Sequence, residues 1–276
     1  MKPGLLALDF DGVVCDGVNE MCDSAHLALV KTFDGHVPSR STSTAPSPDP
    51  GTELRARFAA LRPAIETGWE MVTLLGVLME RPASGDAELR EHAQWAKVRD
   101  EYVRMHGLVQ RTVAETFDNA RTAWMAKDER AWLERHRFYD GIAPWLKRLI
   151  AEGQLVYIIS TKNKRFVDSL LAWQQVSLPS ERVIGRAEPK REKWEVLKDL
   201  AASHGVAAPD VWFVEDRLQT LLDMRRHATE FPARVFLVDW GYVFPERDPA
   251  AARAAGIPVL SLRQATGPFE GWHVQE

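Results

Sequence analysis

The chain is poor in cysteine, carries no long apolar run and has no block of one charge sign; each absence removes a class of protein. Its only two cysteines, Cys15 and Cys22, are too few for a disulfide framework and lack the paired Cys/His spacing of a zinc site. They read as two reduced thiols, in a chain expected in the cytoplasm. Apolar stretches are broken by charge or glycine well before about 18 residues, so no membrane span is expected. The run before Asp9 is too short for the core of a signal peptide. Lys plus Arg number 35 against 39 Asp plus Glu, a net charge of −4, and neither sign is clustered, which gives nucleic-acid binding no support. With 45% hydrophobic and 27% charged residues over 276 positions, the composition is globular and excludes a wholly disordered or collagen-like chain. That length exceeds the usual ~100–200 residues of one domain, so one large or two unequal domains are expected.

What is present is an alternation of apolar runs and helical patterns. Four β-rich segments stand out: LLALDF, LVYIIS, VWFVED and RVFLVDW, starting at Leu5, Leu155, Val211 and Arg234. Continuous apolar runs such as Leu155 to Ile159 suit strands buried on both faces, as in a parallel sheet covered by helices. Weaker runs at Arg182 to Ile184 and Ile257 to Leu260 add two candidate strands. Between them, Pro144, Trp145, Leu146, Leu149 and Ile150 recur at helical spacing, as do Trp194, Leu197, Leu200 and Ala201. The expected fold class is α/β, a doubly wound parallel sheet with right-handed crossovers.

From Val18 to about Tyr139 the rhythm changes. No strand-like run appears, and apolar residues recur at three and four. Leu54, Phe58, Leu61, Ile65, Trp69, Val72 and Leu78 line one face of a long helix that Pro63 and Gly68 can bend, and Trp95, Val98, Tyr102 and Met105 line the next. Residues 18–139 are therefore expected to be an all-helical insert in a core made of 1–17 and 140–276. Its Trp and Met stripes are packing surfaces rather than a cofactor box. Within it, His36 to Gly51 concentrates Ser, Thr and Pro and is expected to be a flexible loop.

Chemistry concentrates at the ends of the expected strands. Asp9 and Asp11, followed at once by Gly12, leave the first strand. Side chains two apart in a strand share a face, so both acids can address one site. In an open parallel sheet ligands gather beyond the carboxyl ends of the strands. An isolated buried carboxylate must find a cation or take a proton, and a divalent ion suits a pair of them. Ser160 and Thr161 end the second run, Glu215 and Asp216 end the third, and Lys193 opens the helix before it. Each alone is as well explained as a cap or turn former, but the set in this order is harder to explain that way.

These residues resemble the motifs of the haloacid dehalogenase-like hydrolases. LLALDFDGVV is similar to that family's first motif, a hydrophobic strand followed by Asp-x-Asp-x-Thr/Val. YIIS, with Ser160 or Thr161, resembles the second, Lys193 in KWEVL the third, and VWFVED the fourth. Lys190 is the alternative frame for the lysine. Many relatives carry a further Asp four or five residues after the fourth motif, where this chain has Thr220 and Leu221. Glu215 is then the expected source of support for the metal ligands.

The resemblance implies a Rossmann-like core with a helical cap entering after the first motif, closing over the site during the first chemical step and opening for product release. It implies that Asp9 is the nucleophile and Asp11 the proton donor and acceptor, and that Ser160 or Thr161 with Lys193 binds the phosphoryl group. Mg2+ is implied on Asp9, the main-chain carbonyl of Asp11, and Asp216, with Glu215 beside it. The activity implied is hydrolysis of a small phosphorylated metabolite, with no nucleic-acid or membrane partner. Asp11 argues against haloalkanoate chemistry, because dehalogenating relatives lack that second acid. Arg111, His106 and Asn119 are candidate substrate contacts of the insert, with exposed helix positions as their plainer explanation. A phosphomutase, a phosphonate hydrolase and a non-catalytic binding module are the alternatives.

Overall fold

A computed structural model describes residues 2–33, 49–186 and 191–272. Most of the expected loop from His36 to Gly51, and Lys190, lie outside the described residues. The chain divides into two compact units, one made of residues 1–16 and 137–276, the other of 17–136. Among the described residues no helix is long and apolar enough to cross a membrane.

The first unit is built on six parallel strands. Its strands in chain order are β1 (Leu5–Leu8), β2 (Cys15–Asp16), β3 (Arg137–Phe138), β4 (Val156–Ile159), β5 (Val183–Ile184), β6 (Val211–Glu215), β7 (Arg234–Val238) and β8 (Val259–Leu260). The six-stranded sheet runs β5-β4-β1-β6-β7-β8, all neighbours parallel. β2 and β3 form a separate antiparallel pair, which period-based reading misses because two residues are too few to show an alternation. The strand order reverses at β1, and an open α/β sheet has its ligand crevice at such a switch point.

The second unit is helical: α1 (Val18–Thr32), α2 (Thr52–Leu61), α3 (Gly68–Glu80), α4 (His92–Met105) and α5 (Gln110–Leu133). The expected long helix is two helices. Pro63 opens a single 3-10 turn after α2, since proline suits a first turn but breaks a helix interior. A new helix then starts at the Thr67–Glu70 capping box. Trp69 to Leu78 in α3 are all buried, because α1, α2, α4 and α5 surround it. α5 is interrupted at Asp128, whose Oδ1 accepts the amide of Ala131 at 2.9 Å and so caps the second half.

A buried ion pair joins α1 to α5. Glu20, fully buried, accepts both Arg121 Nε (2.7 Å) and Nη2 (2.8 Å). It also accepts Ser24 Oγ at 2.6 Å and Trp132 Nε1 at 3.1 Å. Removing one partner of such a pair strands the other charge in a dry interior. Arg121→Met is expected to lower stability by about 3–5 kcal/mol, measured by urea unfolding against the wild type.

The sheet of the first unit is covered by α6 (Ile142–Ala151), α7 (Lys164–Trp173), α8 (Lys193–His204), α9 (Leu218–Arg226), α10 (Asp248–Ala254) and α11 (Leu262–Ala265). Alternation divides the strand residues between two faces. Leu5, Ala7, Tyr157, Ile159, Val211, Phe213, Val235 and Leu237 pack with Val196, Leu197 and Ala201 of α8, Leu221 and Met224 of α9, and Ala252 of α10. Trp212 and Phe236 meet Trp272 with ring centroids 5.5 and 5.2 Å away, and Trp272 meets Trp145 of α6. Covering both faces is what makes β1, β4 and, as far as Val214, β6 continuous apolar runs.

Candidate active site at the switch point of the sheet

The two central strands carry acids at their carboxyl ends, where an open α/β sheet gathers its ligands. After β1 the chain bends at Phe10, which is fully buried, with Asp9 and Asp11 on either side of it in sequence. The chain then turns at Gly12 with φ of +88°, a conformation that favours glycine. Space requires glycine there too. A Cβ on Gly12 would lie 1.7 Å from Asp216 Oδ2. The turn closes through the amides of Val14 and Cys15, both donating to the carbonyl of Phe10.

At the end of β6, Glu215 is 2% exposed and Asp216 5%. Glu215 Oε1 accepts the amides of Asp216 and Arg217, each at 3.1 Å, and Oε2 accepts Lys193 Nζ at 2.6 Å. Asp216 is held from the β7 side, its Oδ2 accepting the Tyr242 amide at 2.9 Å. The Tyr242 hydroxyl donates to Asp16 at 2.9 Å. Lys193, first residue of α8 behind a Glu192–Glu195 capping box, also donates to Asp9 Oδ1 at 2.6 Å. One ammonium thus bridges acids from two strands.

Asp9, Glu215 and Asp216 offer oxygens that all lie within 4.8 Å of one another, and all three residues are buried. Burial pushes the Asp9 carboxyl up to about 7, against the pull of Lys193 and with a further push from Glu215. Burial also opposes the charged form of Lys193, but Asp9 and Glu215 outweigh it and raise the ammonium's pKa above its ordinary value. Glu215 is held below the usual carboxylate range: Lys193 and the Asp216 amide overcome its burial. Three clustered carboxylates, two of them bonded to one lysine, fit a divalent cation with oxygen ligands.

The Ser160–Thr161 pair divides. Ser160 is buried, its amide donating to the Ile184 carbonyl at 2.9 Å and its Oγ accepting the Lys162 amide at 3.1 Å. Thr161 is exposed. Asp11 lies beside a residue the sequence did not flag, Lys162, whose Nζ is 3.1 Å from Asp11 Oδ1. Tyr242 is the other residue missed. The signal for both was the same: each lies in the turn just beyond an expected strand, where crevice residues collect. In the helical unit Arg111 is exposed and paired with Glu115, Asn119 is exposed, and His106 pairs with Glu80.

No family model matches the chain, and no curated protein matches it in sequence. Solved structures do match its fold. A predicted phosphatase from Clostridium acetobutylicum superposes with a TM-score of 0.56 at 15% identity, covering 96% of this chain and 97% of that one. A hydrolase of the haloacid dehalogenase-like family from Streptococcus pneumoniae gives 0.51 at 15% identity, with 96% and 95% covered. The chain has the haloacid dehalogenase-like fold. A predicted phosphoglycolate phosphatase from Haemophilus somnus has the same fold, with a TM-score of 0.56 at 13% identity over 91% of this chain and 92% of that one. Within this fold Asp9, Lys193, Glu215 and Asp216 gather at the carboxyl ends of β1 and β6.

Proposed function

We propose that the chain is a Mg2+-dependent phosphatase hydrolysing a small phosphomonoester through an aspartyl-phosphate on Asp9. The observation that carries this reading is the clustering of Asp9, Glu215 and Asp216, the first two bonded to Lys193, with Asp11 two residues from the nucleophile. A carboxylate nucleophile splits one hard displacement into two easier ones. A bond forms from an Asp9 oxygen to phosphorus, the ester P–O bond breaks, and Asp11 gives its proton to the leaving oxygen. Water then attacks the same phosphorus, Asp11 takes a proton from it, and inorganic phosphate leaves with Asp9 restored.

Asp9 and Asp216 would hold the ion together with the main-chain carbonyl of Asp11. Glu215 braces the amides at the base of Asp216 and keeps Lys193 in place. When bound, Mg2+ supplies positive charge to a reaction that gathers negative charge on the phosphoryl oxygens. Lys193 supplies more of it and offsets repulsion between an anionic nucleophile and an anionic substrate. Ser160, buried at the end of β4, is the polar side chain assigned to a phosphoryl oxygen. Phosphomonoesters of small acids belong in the first substrate panel, since a protein named as a predicted phosphoglycolate phosphatase shares the fold. The cytoplasm remains the compartment assigned to it, with Cys15 and Cys22 both free thiols.

The test is release of inorganic phosphate from p-nitrophenyl phosphate and a panel of phosphorylated metabolites, with and without Mg2+. Inertness across the panel overturns the reading in favour of a binding module, and isomerisation of a sugar phosphate without phosphate release favours a mutase. Binding of the ion has its own readout. A ligand at about 100 times its Kd stabilises a fold by about 2.7 kcal/mol. Mg2+ is therefore expected to raise the melting temperature of the wild type, and Asp216→Asn is expected to lose most of that rise.

A further inference from the structure

Lys162 is a buried lysine that the mechanism above does not use. Its place is built by the backbone on both sides. Its amide donates to Ser160 Oγ at 3.1 Å, and its carbonyl accepts the Arg186 amide at 3.1 Å. The exit of β5 can lie this close only because residue 185 is glycine: a Cβ there would stand 2.8 Å from the Lys162 carbonyl oxygen and 2.4 Å from the Lys164 nitrogen. Immediately after it, Asn163 Oδ1 accepts the Arg165 amide and starts α7. The turn that carries Lys162 is therefore held at both ends.

From this turn the side chain reaches Asp11. It is 1% exposed, and an ammonium so placed needs hydrogen-bond acceptors. Asp11 is one, with Nζ at 3.1 Å from Oδ1 and 3.4 Å from Oδ2; one oxygen can keep this bond while the other carries the proton. The Asp11 side chain is the more open partner at 12%, and it stands next to the Gly12 turn. Lys193 is taken by Asp9 and Glu215, so the two lysines serve different acids. At 1% exposure the Lys162 ammonium is closed to a substrate, and its action on the reaction runs through Asp11.

We propose that Lys162 is a positioning residue for Asp11, fixing the carboxyl group where a proton passes to the leaving oxygen. The proposal rests on the phosphatase reading and adds to it a residue and a measurable signature. An alkoxide leaving from phosphorus needs the Asp11 proton far more than a nitrophenolate does. A misplaced Asp11 therefore penalises alkyl esters selectively, whereas a lysine that merely supports the fold affects both ester types alike.

The experiment measures kcat/KM, which reports steps up to departure of the leaving group, for p-nitrophenyl phosphate and for an alkyl phosphate that the wild-type protein hydrolyses. Lys162→Met, nearly equal in shape, is expected to lower the alkyl value by about 10²- to 10³-fold and the aryl value at least about 10-fold less. Lys162→Arg is expected to recover part of the alkyl loss. If the methionine variant does not fold, Lys162→Gln is compared in the same way. Equal losses on both esters, or wild-type values on both, overturn the role of Lys162 and leave the phosphatase reading standing. A wild-type protein inert on every ester overturns that reading and this inference together.

Discussion

Asp9→Asn is expected to abolish phosphate release, a fall of roughly 10⁴-fold or more, while the fold is retained. The amide matches the carboxylate in shape and can still accept Lys193, but it cannot form the acyl phosphate on which both steps depend. Stability moves the other way. The Asp9 carboxyl rises from its ordinary 3.8 to about 7 because burial opposes its charge. A native-state pKa above the unfolded value means stability that is present at low pH and lost as pH rises through the native pKa. In the metal-free protein Asp9 therefore withdraws stability between about pH 4 and about pH 7, whereas the amide of the variant has no proton to lose. Melting curves in EDTA at pH 5 and pH 8 are expected to differ less for the variant than for the wild type. A variant that keeps substantial turnover would remove Asp9 as the nucleophile.

Lys193→Met is expected to damage both activity and stability. It removes the ammonium 2.6 Å from Asp9 and from Glu215, leaving buried acids facing one another. Breaking a buried pair by deleting one partner costs about 3–5 kcal/mol. Losing a preorganised cation at a transferring phosphoryl group costs about 10²- to 10³-fold in rate. Two controls separate the effects. Saturating Mg2+ is expected to restore part of the melting temperature, because it neutralises the same acids, without restoring kcat. Lowering the pH towards 5 is expected to narrow the stability gap from the wild type, since the abandoned carboxyls then take up protons. A Lys193→Met protein with wild-type melting and turnover would show that the ammonium carries neither function.

The parts of the fold readable from the residues were those whose burial leaves a pattern. β1, β4, β6 and β7 lie in a sheet covered on both faces, so their apolar runs are continuous and stand out. β5 and β8 showed only as weaker runs, being two residues each. The expected long helix through Pro63 and Gly68 is instead α2 and α3, because the Thr67–Glu70 capping box starts a helix of its own where a bend was expected. Periodicity locates the apolar face but does not register such a restart.

The acids at the site were legible for a chemical reason: carboxylates directly after a buried strand are expensive unless they serve something, so Asp9, Asp11, Glu215 and Asp216 drew attention where they stood. Lys162 and Tyr242 did not. Each sits in a turn beyond a strand, 151 residues from Asp11 in one case and 26 from Asp216 in the other, and neither spacing carries a local signal.

By itself the sequence determined the fold class, the helical insert and the strand ends at which polar side chains gather, since these follow from local burial and from spacing along the chain. Only the tertiary structure decided which cation serves which acid. It gave Lys193 to Asp9 and Glu215 and Lys162 to Asp11, turned Ser160 inward while leaving Thr161 at the surface, and set the Tyr242 amide on Asp216. Charge pairing depends on distance in space and on exclusion of water, and both exist only after the parallel strands have come side by side.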